Sequence, residues 1–174
     1  DGSNASRTQL LALASVAWDP ALLDTFGIPE AALPTVTTSS GVVGHSTRVG
    51  GLPSGLPIAS VIGDSHAALF GQSAGRSGTV KATYGTGSSL MTLVDDPLPS
   101  RAGLSTTIAW TIGTRASYAL EGNITATGSA VEWLGTLLGL SSPARAAADL
   151  AATVNDTGGV YLVPAFAGGG WPGS

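Results

Sequence analysis

The chain has no cysteine and carries very little charge. Cysteine is absent from all 174 residues, which excludes disulfide bonds and thiolate metal sites. Charged residues make up 10% of the sequence, whereas they make up about 25% of a typical globular protein. So sparse a surface charge indicates that a partner, or further chain, covers part of the surface.

Basic residues and long apolar runs are scarce as well. The seven Lys and Arg residues form no basic run and the net charge is −4, whereas a protein that binds the nucleic-acid backbone needs a positive surface. No apolar run reaches the roughly 18 residues of a membrane-spanning helix, and no signal-peptide pattern opens the chain. The sequence therefore predicts no nucleic-acid partner and no membrane partner.

Glycine, in contrast, is abundant and lies between the apolar runs. There are 25 glycines in 174 residues, about twice the usual frequency of about 7%. Their positions predict short elements joined by tight turns. Because the chain stops just after a dense cluster at Gly168–Gly170, it is expected to be truncated within a domain.

The first 34 residues are predicted to be helical. One helix is expected at Thr8–Val16 and a second at Pro20–Phe26. Asp19 is expected to cap the second helix, with Pro20 at its first position, and Gly27 is expected to end it.

A connector and then a strand-rich block follow. Residues 35–56 are rich in Thr, Ser, Gly and Pro and predict a boundary. The predicted strands are Pro57–Gly63, Thr79–Tyr84, Ser88–Leu93, Thr106–Ile112, Ser117–Glu121 and Gly159–Phe166. Helices are predicted after Asp64, from about Gly128 to Leu140, and at Pro143–Ala152 with Ser142 as its cap. This mixture favours an α/β layered domain.

The stretch Ile62–Gln72 contains the first candidate site. Asp64 lies where a predicted strand changes to a helix, and loops at such junctions commonly carry function. Two interpretations are open, and they are compatible with each other. Asp64 caps the helix by accepting backbone N–H groups, or it is a general base that takes a hydroxyl proton during phosphoryl transfer.

The turn Thr83–Ser89 is the second candidate site. It fits a tight hairpin whose glycines are needed for positive φ angles. It also fits a phosphate site, because glycines let the backbone approach a phosphate closely while Thr86 or Ser88 adds a hydroxyl donor.

A hydrolase is a remoter alternative. Gly63-Asp64-Ser65 matches the pattern of one esterase class, with Ser65 as the nucleophile. Such an enzyme needs a histidine base beside the serine. The two histidines are His45, in the connector, and His66, next to Ser65. Two isolated histidines also make a poor metal site, so no metal ligands are predicted.

A series of short motifs resembles the FGGY carbohydrate kinases, and within that family most closely the glycerol kinases. The motifs are Asn4–Thr8, Phe26–Pro29, Ile62–Gln72, Thr83–Gly87, Leu104–Trp110, Tyr118–Gly122, Gly128–Leu134 and Val163–Phe166. Single motifs of this kind have low specificity, but their order along nearly the whole chain is that of the family.

The resemblance implies an RNase H-like α/β fold of the actin/hexokinase/Hsp70 type, with ATP and substrate between two domains. Residues 1–56 would be the tail of the first domain with its connector, and residues 57–174 the first half of the second, nucleotide-binding domain. The implied enzyme is a cytoplasmic ATP-dependent kinase acting on a small polyol or sugar. Its implied partner is the remainder of its own chain, a second copy is left open, and the 174 residues alone are expected to be inactive.

The resemblance also implies roles for individual residues. Asp64 would be the catalytic base and would contact the substrate together with Ser65. The residues expected at ATP are Gly85, Thr86, Gly128, Ser129 and Glu132. Mg²⁺ would bridge the ATP phosphates.

Ser65 and His66 depart from the family pattern, since glycerol kinase has Gln-Gln at these two positions. This leaves a xylulokinase-type sugar kinase open as an alternative. A non-catalytic, actin-like nucleotide-binding module is the alternative from another functional class.

Overall fold

The computed structural model describes residues 1–73, 75–99 and 103–166. The first part contains α1 (Gly2–Ala5), a 3-10 turn at Ser6–Thr8, β1 (Leu11–Ala12), β2 (Ala17–Trp18), α2 (Pro20–Phe26) and a 3-10 turn at Glu30–Ala32. Next come β3 (Ser40–His45), β4 (Pro57–Ser60) and α3 (Asp64–Ser73). The remaining elements are β5 (Val80–Tyr84), β6 (Ser88–Val94), β7 (Leu104–Ile112), β8 (Arg115–Ile124), α4 (Gly128–Leu137) and α5 (Pro143–Ala151).

One sheet of six strands organises the described residues. Its strand order is β4-β3-β7-β8-β6-β5, and β1 and β2 form a separate two-stranded sheet. Strand β3 runs antiparallel to β4 and parallel to β7, where Ser40 lies opposite Ile112. A mixed sheet combined with helices confirms the predicted α/β class. Among the described residues, no helix is both long and apolar enough to cross a membrane.

Helix α2 has the boundaries that the sequence predicts. Asp19 Oδ1 accepts the backbone N–H groups of Ala21 and Leu22 at 2.9 and 3.3 Å, and Pro20 occupies the start of the helix. Gly27 ends the helix with a φ of +65°. Local capping signals are sufficient here because each of them acts within four residues of the helix end.

The helix predicted at Thr8–Val16 is wrong. The chain instead leaves the 3-10 turn at Ser6–Thr8 and forms the β1–β2 hairpin, with positive φ angles at Gln9 and Val16. Leu11 is buried against Ala5 and Ile108, and Val16 packs on the same cluster. Tertiary packing therefore overrides the helical spacing of the apolar residues.

Three other predicted elements also differ. The connector at residues 35–56 contains strand β3. Residues 159–165 form no strand; they are mostly exposed, and a strand needs a hydrogen-bonded neighbour to persist. Ser142 makes no side-chain capping bond and has a φ of +56°. The glycine cluster at 168–170 lies outside the described residues.

The described residues form two compact units. The first comprises residues 1–73, 75–81, 91–99 and 105–121. Its main core consists of Leu69, Met91, Ala109, Trp110 and Ala119. This core buries one face of α3 against the sheet, and α3 carries Asp64 at its first position.

The second unit comprises residues 82–90, 103–104 and 122–166. Here α4 and α5 pack at very close range, since a Cβ atom on Gly135 would lie 2.2 Å from Cβ of Pro143. The turn between β5 and β6 belongs to this unit together with α4. Each candidate site is therefore built within a single unit.

Candidate functional site

Asp64 is the first residue of α3, and its side chain is exposed. The helix begins with a bond from the Ala67 N–H to the Gly63 carbonyl at 2.8 Å. Asp64 Oδ1 accepts the backbone N–H of Ser65 at 2.6 Å. Asp64 thus lies inside the helix rather than at the Ncap position, and its carboxylate is favourable at a helix N-terminus while facing solvent. We call residues Gly63–His66 the Asp64 corner.

Hydrogen bonds of Ser3, which is fully buried, link the Asp64 corner to the start of the chain. Ser3 Oγ accepts the Gly63 N–H at 3.1 Å and donates to Asp1 Oδ1 at 3.0 Å. A Cβ atom on Gly63 would lie 3.1 Å from His66 Nδ1 and 3.2 Å from Asn4 Oδ1. The backbone directly before Asp64 is therefore hydrogen-bonded to buried Ser3 and closely packed.

Charged side chains lie behind the corner, and sequence reasoning missed them. Lys81 in β5 is only 1% exposed, and its Nζ donates to Ser65 Oγ at 3.3 Å. Arg7 Nη1 lies 2.6 Å from Oε2 of Glu121, which is buried. The available signal was a lysine within the apolar predicted strand Thr79–Tyr84, since buried lysines are rare.

His66 is buried and makes a long contact, with Nε2 3.5 Å from Oγ1 of Thr107. Burial lowers the pKa of His66 below its ordinary value of 6.5. The charge of Glu121 opposes this shift, while Arg7 and Lys81 reinforce it. The ring is therefore neutral at neutral pH and serves as a packed polar group.

The geometry gives no support to the esterase alternative. Ser65 Oγ contacts the ammonium group of Lys81, whereas the ring of His66 is directed at Thr107. His45 is at the end of β3 and is exposed. Neither histidine is placed as a base for Ser65, which a serine nucleophile of this class requires.

The second candidate site is the turn Gly85–Gly87 between β5 and β6. The Gly85 N–H donates to the Gly87 carbonyl at 2.9 Å. The prediction that these glycines need positive φ is wrong, because neither has one. A Cβ atom on Gly87 would lie 2.6 Å from the carbonyl oxygen of Ile124. Position 87 therefore requires glycine because two backbone segments approach each other closely there.

The N-terminus of α4 docks onto this turn. The Gly128 N–H donates to the Gly85 carbonyl at 3.0 Å, and the N–H and Oγ of Ser129 both donate to the Thr86 carbonyl at 3.1 Å. A Cβ atom on Gly128 would lie 2.4 Å from the Gly85 oxygen. Four of the residues predicted at ATP are thereby brought together, while Glu132 lies one turn further along α4 and is exposed.

The two hydroxyl groups predicted as phosphate donors differ in their surroundings. Ser88 is buried, and its Oγ lies 2.8 Å from Oγ1 of Thr127. Thr86 is exposed at the tip of the turn. The N–H groups of Gly128 and Ser129 donate to carbonyls of the turn and so hold it in place. Of the two hydroxyl groups, that of Thr86 is the exposed one.

The described residues contain no group of three or more His, Asp or Glu side chains placed to hold a metal ion. Mg²⁺ at a nucleotide site is commonly bound by the phosphates, water and one or two carboxylates. The exposed carboxylate of Asp64 therefore does not by itself form a metal site.

Both ends of the chain match one protein family. Residues 1–71 match the N-terminal domain of the FGGY family of carbohydrate kinases, and residues 80–174 match the C-terminal domain of the same family. The chain is 51% identical over 174 residues to the apulose kinase of Pectobacterium atrosepticum. It is 50% identical over 173 residues to the glycerol kinase of Alkalilimnicola ehrlichii. Each alignment covers 99% of the chain and 35% of the relative, so the chain spans about a third of their length.

Solved structures show the same relationship. The glycerol kinase of Plasmodium falciparum, determined with ADP, superimposes with a TM-score of 0.83 at 34% identity, covering 95% of the chain and 34% of that structure. The xylulose kinase of Rhodospirillum rubrum gives a TM-score of 0.81 at 28% identity, covering 100% of the chain and 36% of that structure. The likeness confirms the predicted fold of the actin/hexokinase type.

Proposed function

The chain belongs to the FGGY family of carbohydrate kinases, and we propose that it is part of a longer ATP-dependent kinase that phosphorylates a hydroxyl group of a small polyol or sugar. In this proposal, residues 1–56 are the tail of the first domain with its connector. Residues 57–174 are the first half of the second domain. The names of the two curated relatives, glycerol kinase and apulose kinase, support this substrate class.

The observation that carries the proposal is the exposed carboxylate of Asp64 on a fixed backbone. The Gly63 N–H is bound by buried Ser3, and Asp64 Oδ1 is held by the Ser65 N–H. In the reaction, the carboxylate takes the proton of the substrate hydroxyl while that oxygen attacks the γ-phosphate in line. A base held at the first turn of a helix needs little reorganisation to do this, which favours catalysis.

The turn Gly85–Gly87 is the proposed binding site for the phosphates of ATP. Gly85 and Thr86 contact the ATP phosphates, with the exposed Thr86 hydroxyl as donor. Gly128 and Ser129 hold the turn from behind and lie near the nucleotide together with Glu132. Mg²⁺, when bound with ATP, neutralises charge on the phosphates.

Ser65, the residue directly after the proposed base, is proposed to contact the substrate. Ser65 is half-buried, so its hydroxyl lies at the edge of the Asp64 corner. A panel of polyols and ketoses that includes glycerol, apulose and xylulose identifies the substrate by the ratio of kcat/KM values. We expect a preference for one of these, measured as sugar-dependent release of ADP by the full-length protein.

The base is tested by Asp64→Asn in the full-length protein. Since Asn cannot accept the proton, kcat falls by about 100-fold or more, whereas KM for ATP stays near the wild-type value. Asp24→Asn is the matched control, because Asp24 is an exposed aspartate on α2, and it should leave both constants unchanged.

Near wild-type kcat in Asp64→Asn, with an unchanged melting temperature, would refute the assignment of the base. ATP binding by the wild-type protein without release of ADP on any member of the panel would favour the non-catalytic nucleotide-binding module instead.

A further inference from the structure

We propose that Lys81 is a positioning residue that turns Ser65 into a hydrogen-bond donor for the substrate. The inference rests on the proposed kinase function, in which Ser65 lies beside the substrate. Lys81 takes no part in the proton transfer proposed for Asp64. Its contact with Ser65 narrows the substrate to molecules with an oxygen acceptor next to the reacting hydroxyl.

Lys81 is a buried lysine in β5. Only 1% of the residue is exposed, and its ammonium group reaches Ser65 Oγ at 3.3 Å. A buried charge is costly unless a partner compensates it. The charged groups around His66, namely Asp64, Arg7 and Glu121, include two carboxylates, and Glu121 is already bound to Arg7. Lys81 thus belongs to a buried polar cluster. Its contact with the half-buried Ser65 links this cluster to the surface.

The chemistry of the contact fixes its direction. An ammonium group has three donors and no acceptor, so Ser65 Oγ must be the acceptor. The backbone N–H of Ser65 is already bound to Asp64 Oδ1. The hydroxyl hydrogen of Ser65 is therefore left to donate, and among the described residues no acceptor receives it.

This polarity determines which substrates the site accepts. A hydroxyl or carbonyl oxygen next to the phosphorylated hydroxyl can accept the bond from Ser65, as in a polyol or a ketose. An analogue without that oxygen loses the bond and leaves the Ser65 hydroxyl without its partner in the complex. Lys81 acts only through Ser65 and does not touch the substrate.

The test uses the full-length kinase with its best substrate. Ser65→Ala and Lys81→Met are each expected to raise KM for the sugar or polyol about fivefold, the size of one neutral hydrogen bond, with kcat within about threefold of wild type. Lys81→Gln is the matched variant, because its amide keeps an N–H donor but loses the charge. It should keep KM within about twofold of wild type.

A double variant separates positioning from general damage. Ser65→Ala combined with Lys81→Met should raise KM no further than Ser65→Ala alone, since Lys81 acts through the hydroxyl that is already absent. Additive effects of the two substitutions would overturn the proposal, as would unchanged KM in Ser65→Ala or in a folded Lys81→Met. If Lys81→Met fails to fold, Lys81→Gln decides: retained KM supports the proposal, and a loss equal to that of Ser65→Ala refutes it.

The outcomes also distinguish this inference from the proposed function. A wild-type protein with no sugar-dependent release of ADP refutes the kinase function and this inference together. An active wild-type enzyme whose folded Lys81→Met variant keeps the wild-type KM for the sugar or polyol refutes the role of Lys81 alone.

Discussion

Buried polar side chains lie beneath the Asp64 corner. Lys81, Glu121 and His66 are each buried, and each has a polar or charged neighbour within 3.5 Å. Buried polar groups are costly to leave without a partner, so these contacts hold one arrangement of the corner. The exposed Asp64 thereby stands on a rigid, polar support.

At the residue scale, His66 predicts how stability depends on pH. Its pKa in the folded chain is lowered from 6.5 by burial. Between the two pKa values the unfolded chain binds more protons than the folded chain, so the free energy of unfolding rises with pH. The stability contributed by the neutral ring is present above about pH 6.5 and is lost as the pH falls through the folded pKa.

The measurement is urea denaturation at about pH 7.5 and about pH 5.5. His66→Gln should lose less stability than wild type between these two values, because it has no imidazole to protonate. His45→Gln is the control, since His45 is exposed, and it should follow wild type. Identical pH dependence in His66→Gln and wild type would contradict the assignment.

At the element scale, the turn Gly85–Gly87 and the start of α4 form a single unit of structure. Their backbones approach so closely that a Cβ atom on Gly128 would lie 2.4 Å from the Gly85 carbonyl oxygen. The backbone N–H groups of Gly128 and Ser129 donate to the carbonyls of Gly85 and Thr86. The shape of the turn therefore depends on contacts between residues that lie 42 and 43 positions apart in the sequence.

Gly128→Ala is predicted to disturb this contact. Because the obstructing atom belongs to the backbone, the substitution should destabilise the protein by about 1–3 kcal/mol and raise KM for ATP more than KM for the sugar. Thermal unfolding and steady-state kinetics measure the two effects. Gly71→Ala is the control: Gly71 lies within α3 with nothing within 4 Å of a Cβ atom, so it should gain about 0.5–1 kcal/mol. A Gly128→Ala protein as stable as wild type would show that the contact is looser than described.

At the scale of the whole molecule, apolar side chains are exposed along β3, β4 and the segment between them. They are Val42, Val43, Val49, Leu52, Leu56 and Ile58. Several exposed apolar side chains within one segment commonly mark a contact with another chain or domain. These exposed apolar side chains agree with the low fraction of charged residues in the sequence, which is 10%.

The 174-residue chain by itself is therefore predicted to self-associate. Sedimentation velocity at rising concentration should show a growing fraction of oligomer. Val42→Lys should reduce this fraction, because it places a charge within the apolar surface. Thr47→Lys adds the same charge at an exposed polar position nearby and should reduce it less. Equal effects of the two substitutions would point to net charge rather than to this surface.

Local capping signals and the order of the motifs in the sequence determined several helix boundaries and the family of this protein. The cap at Asp19, the end at Gly27 and the helix after Asp64 depend on neighbouring residues, and the structure contains all three. The order of the motifs predicted the family, which the matches along residues 1–71 and 80–174 confirm. The roles given to Asp64 and the residues of the turn remain predictions that the proposed variants test.

Only the tertiary structure decided what surrounds these residues. It replaced the helix predicted at Thr8–Val16 by a hairpin, gave close backbone approach as the reason for Gly87, and brought Lys81 to Ser65. The bond from Gly63 to Ser3 joins residues sixty positions apart. Such contacts form when the whole sheet and its helices pack, and the pattern of neighbouring residues does not encode them.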